Sequence, residues 1–458
     1  MANSSACVDI EIDLDPYNAE PQLEAVHELE PRSSLRLLVL ANFSGQATGK
    51  LTRIDIDNFE TVLRTLAPRV ELALGNGQLG ETELTFASLE DFEPDRIYRY
   101  SEIFAPLREK LGAQLYSEPE EGESHPPLKP TPEQIEQLTS PGGLLDAIIE
   151  KSSGHYGGAA PAPKRIDEFQ SMVERIVAPY AQPAETPESR RAIAERAQRL
   201  SLLMAHILHD DQFQALEAAW RGLDLLVRGL DTDHAIQLHI LDCSKEKLAN
   251  QLLEAAKAGG RWGLVAANFG FDRAIHSDVE LLERLGMIAR TMGAPLIAEW
   301  LPSQIENAKA EAAWQAFRHS SSASYVGLAL PRFLLRLPYG NQTSPVESFE
   351  FEEMPGEPVH TNYLWGNPAF ACALVLGQLF QRQDSLTPTP ANLRLDNMTV
   401  HHTISTEVLL SEHDCQTLLN DGVLPLSGVK ETESIVFPRM QSIAKPAALL
   451  AGLQSVNW

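Results

Sequence analysis

Basic charge, paired cysteines and long apolar runs are all scarce in this 458-residue chain, and each scarcity removes a class of function. Only 37 Lys and Arg stand against 63 Asp and Glu, a formal net charge of −26. Nucleic acids and anionic bilayers are gripped by clustered Lys and Arg, and no such run is present, so nucleic acid is not an expected partner. No segment approaches the roughly 20 apolar residues that span a bilayer, so no membrane insertion is expected. The N-terminal MANSSACVDIEIDLDP is acidic and lacks the basic and apolar blocks of a secretory signal. The cysteines, Cys7, Cys243, Cys372 and Cys415, are scattered without a CxxC pair. They read as free thiols in a reducing compartment, and the expected location is cytoplasmic.

Catalytic signatures are equally sparse. No GxSxG elbow and no HExxH helix is present, and no Cys/His pair stands out. Carboxylates are so common that chance pairs carry no weight, so no acid–base dyad is assigned. The expectation is a protein that is not an enzyme, with no catalytic residue, cofactor or metal. The nearest approach to a nucleotide site is SGQATGKLT. A phosphate-cradling loop needs four residues between its glycines and a Ser/Thr after the Lys. Here only Gln46, Ala47 and Thr48 separate Gly45 from Gly49, and Leu51 follows Lys50. An ordinary glycine loop is the preferred reading. His206 and His209, beside Asp210 and Asp211, have helical spacing suited to a metal but lack a further ligand. EHDC (Glu412 to Cys415) and His401–His402 form no ligand set by themselves.

What is present is core-forming sequence: 43% hydrophobic residues in a chain long enough for two or three domains. Residues 1–32 are acidic and proline-bearing, and read as a loose arm. Residues 33–115 read as a small α/β unit. The run Leu37–Leu40 is a buried strand, followed by a helix with Phe59, Val62, Leu63 and Leu66 on one face, then strands in VELALG and ETELTFAS. Residues 116–164 have linker composition around an apolar island, GGLLDAIIEK, with a short amphipathic helix over 143–151. Residues 165–446 read as a larger α/β domain in which strands AIQLHILDC and WGLVAANF alternate with helices. A long helical stretch precedes them, broken near Asp210–Asp211, and residues 447–458 form a tail.

Within YVGLALPRFLLRLPYG, Arg332 and Arg336 lie four apart among large apolar residues. An unpaired buried charge is costly, so each arginine needs a fixed carboxylate, and FEFEE (Phe349 to Glu353) offers some. Intradomain and intersubunit pairing both remain open. NYLWGNPAF adds Tyr363 and Trp365 for packing.

Together these segments resemble the contractile sheath proteins of the bacterial type VI secretion system. FQALEAAWRGLDLLV, with Trp220, Arg221 and Gly222, is similar to a motif of the large sheath subunit (TssC). So are ASYVGLALPRFLLRLPYG, with Pro331, Arg332, Arg336, Pro338 and Tyr339, and YLWGNPAFA, with Trp365, Gly366 and Asn367. STEVLL and GVLPLSGVKETE fall at the places of later segments. LRLLVLANFSG, IDIDNFETVLRTLAPRVEL and FASLEDFEPDRI resemble the small subunit (TssB). The resemblance implies a small–large fusion with a sheath-core α/β fold, whose partners are sheath subunits, baseplate or assembly proteins. It also implies that Leu144, Leu145, Asp146, Ile148 and Ile149 match the helix recognised by the ring-shaped disassembly ATPase, ClpV. An eight- or nine-residue island is below the ~12–15 residues of a stable lone helix, so it borrows a surface, either a partner's groove or its own domain.

Departures from the family pattern shape the functional expectation. The C-terminal parts of both subunits, which build the inner sheath layer by strand exchange, find no counterpart here. A GGG-and-LP segment is absent between Phe380 and Val400, and Ser320 to Ser322 replace an acidic pair. The chain is therefore expected not to polymerise in the ordinary way, and to act as a sheath-like accessory. A genuine sheath subunit in fused form is the alternative, and an enzyme derived from the fold is a third.

Overall fold

The computed structural model describes residues 35–73, 81–105, 108, 187–232, 236–258, 261–302, 307–382, 391–394, 406–428 and 434–453. Strand β1, Leu35–Ala41, has six of its seven residues buried. Its sequence LRLLVLA lacks the polar alternation of a half-exposed strand, as expected of one covered on both faces. The first segment continues with β2 (Leu51–Ile54), helix α1 (Phe59–Leu66), the β3–β4 hairpin (Arg69–Ala73 and Glu81–Thr85) and α2 (Pro94–Tyr100). Helix α1 buries Phe59, Val62 and Leu63 at helical spacing and ends on Ala67 in the left-handed region.

The second segment opens with α3 (Pro187–Leu208) and α4 (Asp211–Gly229). They are separated at Asp210, whose carboxylate accepts the N–H groups of Gln212 and Phe213 and so starts a new helix. There follow β5 (Ile236–Asp242), α5 (Leu248–Lys257), β6 (Leu264–Phe271), α6 (His276–Met292), β7 (Leu296–Trp300), α7 (Ala308–Arg318) and β8 (Val326–Leu330). After them come β9 (Phe333–Arg336), β10 (Leu364–Gly366), α8 (Pro368–Arg382), β11 (Ala391–Arg394), α9 (Glu412–Asn420), β12 (Val423–Pro425), β13 (Ser427–Gly428) and β14 (Ser434–Phe437).

The class is α/β, as the sequence indicates, but the two segments do not keep separate sheets. One seven-stranded sheet runs β12-β8-β7-β6-β1-β5-β2. All its neighbours are parallel except β2, which is antiparallel to β5. The first segment's β1 lies between two strands of the second, in register with β5 from Leu35↔Ile236 to Ala41↔Asp242. On its other side it pairs with β6 from Leu37↔Leu264 to Leu40↔Ala267. Periodicity shows that a strand is covered on both faces, but not which segment supplies its neighbours.

Alternation along β1 feeds two cores. Leu35, Leu37 and Val39 face α4, α8 and the first segment's own Leu63 and Phe86. Leu38 and Leu40 face Leu252 of α5, Leu285 of α6 and Trp314 of α7. Burying these five side chains is worth about 7–15 kcal/mol as an upper bound. That is comparable with the whole stability of an ordinary domain, ~5–15 kcal/mol. The first segment therefore needs the second. Residues 1–140 expressed alone are expected to show no cooperative thermal transition. Co-expression with residues 141–458 is expected to give a co-purifying pair with a single transition, and a folded, independent 1–140 fragment would refute this.

Candidate functional site

Three clusters stand out, two joining the segments and a third within the second, and the first sits where doubly wound sheets take ligands. Strand order reverses at β1, with β5 on one side and β6 on the other. The crevice beyond the strand C-termini at such a point is the usual ligand site. Here the Asp242 carboxylate, fully buried at the end of β5, fills it. It accepts from Phe43 N (2.8 Å), Ser44 N (3.0 Å), Ser44 Oγ (2.6 Å), Thr48 N (2.7 Å) and Thr48 Oγ1 (2.6 Å). The SGQATGK loop is thus an anion cradle closed around the protein's own carboxylate. Gly45 has φ +79°, and a Cβ there would lie 2.1 Å from the Arg69 carbonyl oxygen, so only glycine fits. The preference for an ordinary glycine loop over a nucleotide loop acquires its reason here.

The second cluster is aromatic. Trp220 of α4 is fully buried, donates from Nε1 to the Phe43 carbonyl at 2.9 Å, and meets the Phe43 and Phe59 rings edge-on at 5.3 and 5.7 Å. Phe213, two turns earlier, packs against Phe86 and Phe92, both with ring centroids at 5.8 Å. The tryptophan of the WRGL stretch is therefore a dock for the first segment. Next to Arg221, Gly222 lets α8 approach: a Cβ there would lie 2.6 Å from the Phe370 ring.

The third cluster is ionic. Arg336 donates to Glu217 (2.9 and 3.3 Å) and Glu353 (2.8 and 3.3 Å), and its guanidinium lies 4.3 Å from the centre of the Tyr339 ring. Arg221 donates to Glu217 at 2.7 Å and to the Tyr339 hydroxyl at 3.2 Å. Glu353 also accepts the Tyr339 N–H at 2.7 Å, and His209 Nε2 lies 3.5 Å away. Two guanidinium groups thus balance two carboxylates. Burial opposes the charge on Arg336, yet Glu217 and Glu353 hold its pKa well above the ordinary value. Burial likewise pushes Glu353 up, but Arg336, His209 and the Tyr339 N–H outweigh it and leave its pKa lowered. Burial raises Tyr339 to about 12.

Arg332 belongs to a separate ionic group. Its partner is not FEFEE but Glu407 of the STEVLL stretch, in two bonds of 2.9 and 2.6 Å, with Glu299 at 3.7 Å. His360 Nε2 stands 3.3 Å from Glu407. Asn367 donates to Glu299 at 3.1 Å and caps α8 by accepting the Ala369 N–H at 2.9 Å. Burial pushes the Glu299 carboxyl up to about 7, with Glu407 adding to the rise and Arg332 opposing it.

The remaining candidates are structural in placement. Pro331 links β8 to β9, and the Pro338 carbonyl accepts the Thr343 hydroxyl. Trp365 donates to the His360 carbonyl at 2.9 Å, and Gly366 pairs with Phe333 across β9–β10. The EHDC stretch starts α9, where Ser411 and Asp414 form a capping box. Among the described residues no group of three metal-ligating side chains occurs, so His206 and His209 have no such company. Leu144, Leu145, Asp146, Ile148 and Ile149, and His401–His402, lie outside the described residues. Sequence reasoning missed Asp242 and Glu217. Each is an acid embedded in an apolar run, LHILDC and FQALEAAW, and the argument applied to Arg332 and Arg336 applies equally to them.

The charges of these clusters are spent on one another, and the sheet crevice is filled by the protein's own Asp242 side chain. Comparisons with known proteins specify the family. The family model described as VipB, EvpB/VC_A0108, tail sheath N-terminal domain matches residues 190–444, and the chain belongs to this tail sheath family. The model described as type VI secretion system, VipA, VC_A0107 or Hcp2 matches residues 6–112. The type VI secretion system sheath protein TssC1 of Pseudomonas aeruginosa is 30% identical over 305 residues, covering 56% of this chain and 61% of the relative. The sheath protein TssB1 of the same organism is 30% identical over 101 residues, covering 21% of this chain and 59% of the relative. The chain thus spans about 60% of the length of each of these relatives. The contracted helical sheath of the anti-feeding prophage is 12% identical, with TM-score 0.30 over 51% of this chain and 54% of that one, too slight a likeness to carry an argument. No helix among the described residues is long and apolar enough to cross a membrane.

Two outcomes follow from the buried groups. Asp242→Ala strands donors that have no other acceptor, each worth about 1–3 kcal/mol, so urea unfolding is expected to show a loss above about 3 kcal/mol. Asp242→Asn keeps the shape and one acceptor and is expected to fall between. For Glu299 the sign runs the other way from a salt-bridged carboxylate. Its folded pKa of about 7 lies above the ordinary 4.5, so the native state holds the extra proton and stability falls as pH rises between them. Glu299→Gln removes that titration. Its Tm relative to the parent is expected to rise between about pH 5 and about pH 8, and a pH-independent difference would refute the assignment.

Proposed function

We propose that this chain is a non-enzymatic, cytoplasmic component of a type VI secretion apparatus. In this role it acts as a sheath-like accessory that binds sheath, baseplate or assembly proteins as a discrete body. The observation that carries the sheath role is β1 held between β5 and β6. Segments matching the VipA and VipB families form one sheet, so a single chain presents a pre-assembled small–large core. A covalent link fixes stoichiometry and raises the effective concentration of the two halves. The edges of this sheet favour a discrete body over a strand-exchanging polymer. Edge strand β2 has four residues and β12 has three, ending in Pro425, which lacks a donor.

A genuine sheath subunit in fused form is the second reading, favoured by the match to both subunit families along one chain. The disassembly ATPase ClpV is a further proposed partner, through Leu144, Leu145, Asp146, Ile148 and Ile149. Electron microscopy and sedimentation of the full chain, alone and mixed with ordinary small and large sheath subunits, separate the two readings. Discrete complexes or bodies at tube ends are the expected result. Tubes formed by the chain alone, or stoichiometric incorporation along a lattice, would sink the accessory reading. ClpV added to the same mixtures is expected to co-sediment with the parent and less with a Leu145→Asp, Ile148→Asp variant.

A further inference from the structure

Among the described residues strand β4 has a neighbour on one side only, since β3 and β4 make a two-stranded sheet. The Phe86 N–H reaches the Pro68 carbonyl at 2.9 Å, in line with the register Arg69↔Thr85. Antiparallel pairs alternate, so Val70–Leu84 and Leu72–Thr82 are hydrogen-bonded pairs, whereas Arg69–Thr85 and Glu71–Glu83 are not. The main-chain N–H and C=O groups of Glu83 and Thr85 therefore point away from β3. Among the described residues none bonds to them.

These groups face a groove of about 760 Å³ between β4 and the α2 region. Its lining includes the buried Leu84, Phe86 and Ile97, and Tyr100, which is 64% exposed. The opposite face of the hairpin is acidic. Glu71 and Glu83 stand directly opposite each other in the pair type that brings Cβ atoms closest, an arrangement that destabilises like charges. Arg69 comes within 3.7 Å of Glu83.

We propose that the outer edge of β4, to which no described residue bonds, accepts an extended strand from a partner protein, carrying Lys or Arg opposite Glu83 with an apolar residue on each side. The residue opposite Glu83 in the new ladder shares its face, where a cation relieves the Glu71–Glu83 repulsion. Its two neighbours point to the other face, toward the floor formed by Leu84 and Ile97. Backbone bonds to Glu83 and Thr85 supply sequence-tolerant affinity, and the cation and apolar pair supply selectivity.

The test uses the full chain and two capped peptides, Thr-Val-Lys-Val-Thr and Thr-Val-Glu-Val-Thr. Anisotropy and amide hydrogen exchange at Glu83 and Thr85 are the readouts. The Lys peptide is expected to bind about tenfold more tightly than the Glu peptide and to protect both amides, with the preference reversed in Glu83→Lys. Thr85→Pro removes an outward N–H without breaking the β3 ladder, so binding is expected to vanish with Tm unchanged. Equal binding of both peptides, binding to neither, or undiminished binding to Thr85→Pro would overturn the proposal. A fall in Tm or a loss of self-association in Thr85→Pro would also overturn it, because the edge would already be used by this chain or a second copy.

Discussion

The carboxylate of Asp242 anchors the loop that leaves β1, and the position of β1 decides the rest of the fold. Among the described residues the strand has no strand partner within its own segment, and its apolar side chains need cover on two faces at once. Pairing with β5 and β6 supplies both, but parallel strands need firm exits because no tight turn joins them. Asp242 provides that exit by gathering five donors from Phe43, Ser44 and Thr48 at the point where β1 ends. The same bonds occupy the place where a related topology would hold a phosphate. Closure of the loop and filling of this crevice thus have one cause.

The two other clusters extend this closure outward. Trp220 reaches across to the Phe43 carbonyl on the same loop, so α4 is keyed to the position that Asp242 holds. One turn earlier Glu217 accepts from both Arg221 and Arg336, and Arg336 links α4 to the β9 strand and, through Glu353, to the chain beyond Tyr339. A buried ion pair contributes little net stability against an apolar alternative, but removing one partner leaves a stranded charge. Such groups make partial or shifted packings costly. The effect is to make one register of α4 against the sheet much better than its neighbours.

Much of this was legible in the residues. Leu37–Leu40 as a buried strand, the helical face of Phe59, Val62, Leu63 and Leu66, and the break at Asp210 all follow from local pattern, and the structure has each of them. That Arg336 needs a carboxylate also followed, because a charge in an apolar run must be paired; FEFEE was one source on offer, with pairing inside or between subunits left open, and the structure pairs it with Glu353 and also with Glu217. What did not follow was any relation between distant segments. Arg332 takes Glu407, 75 residues on, rather than the nearer acids, and Asp242 binds a loop 194 to 199 residues away. Local spacing carries no information on such pairs. Only the sheet order brings them together.

The separation in chain of groups that are neighbours in space bears on what carrying both segments on one chain achieves. Two separate chains forming this sheet must find each other before β1 has any stable place, since its leucines remain exposed until docking. A tether converts that bimolecular step into a local one and keeps the unpaired strand from meeting other edges. The short outer strands act in the same direction: β2 and β12 expose little backbone, and Pro425 removes a donor from the second. In this sheet, adhesion is concentrated on the inside, at β1, and reduced at its margins. Such a distribution suits a body that is finished when it folds, with further contacts made by side chains and by small peripheral sheets rather than by extending the main one.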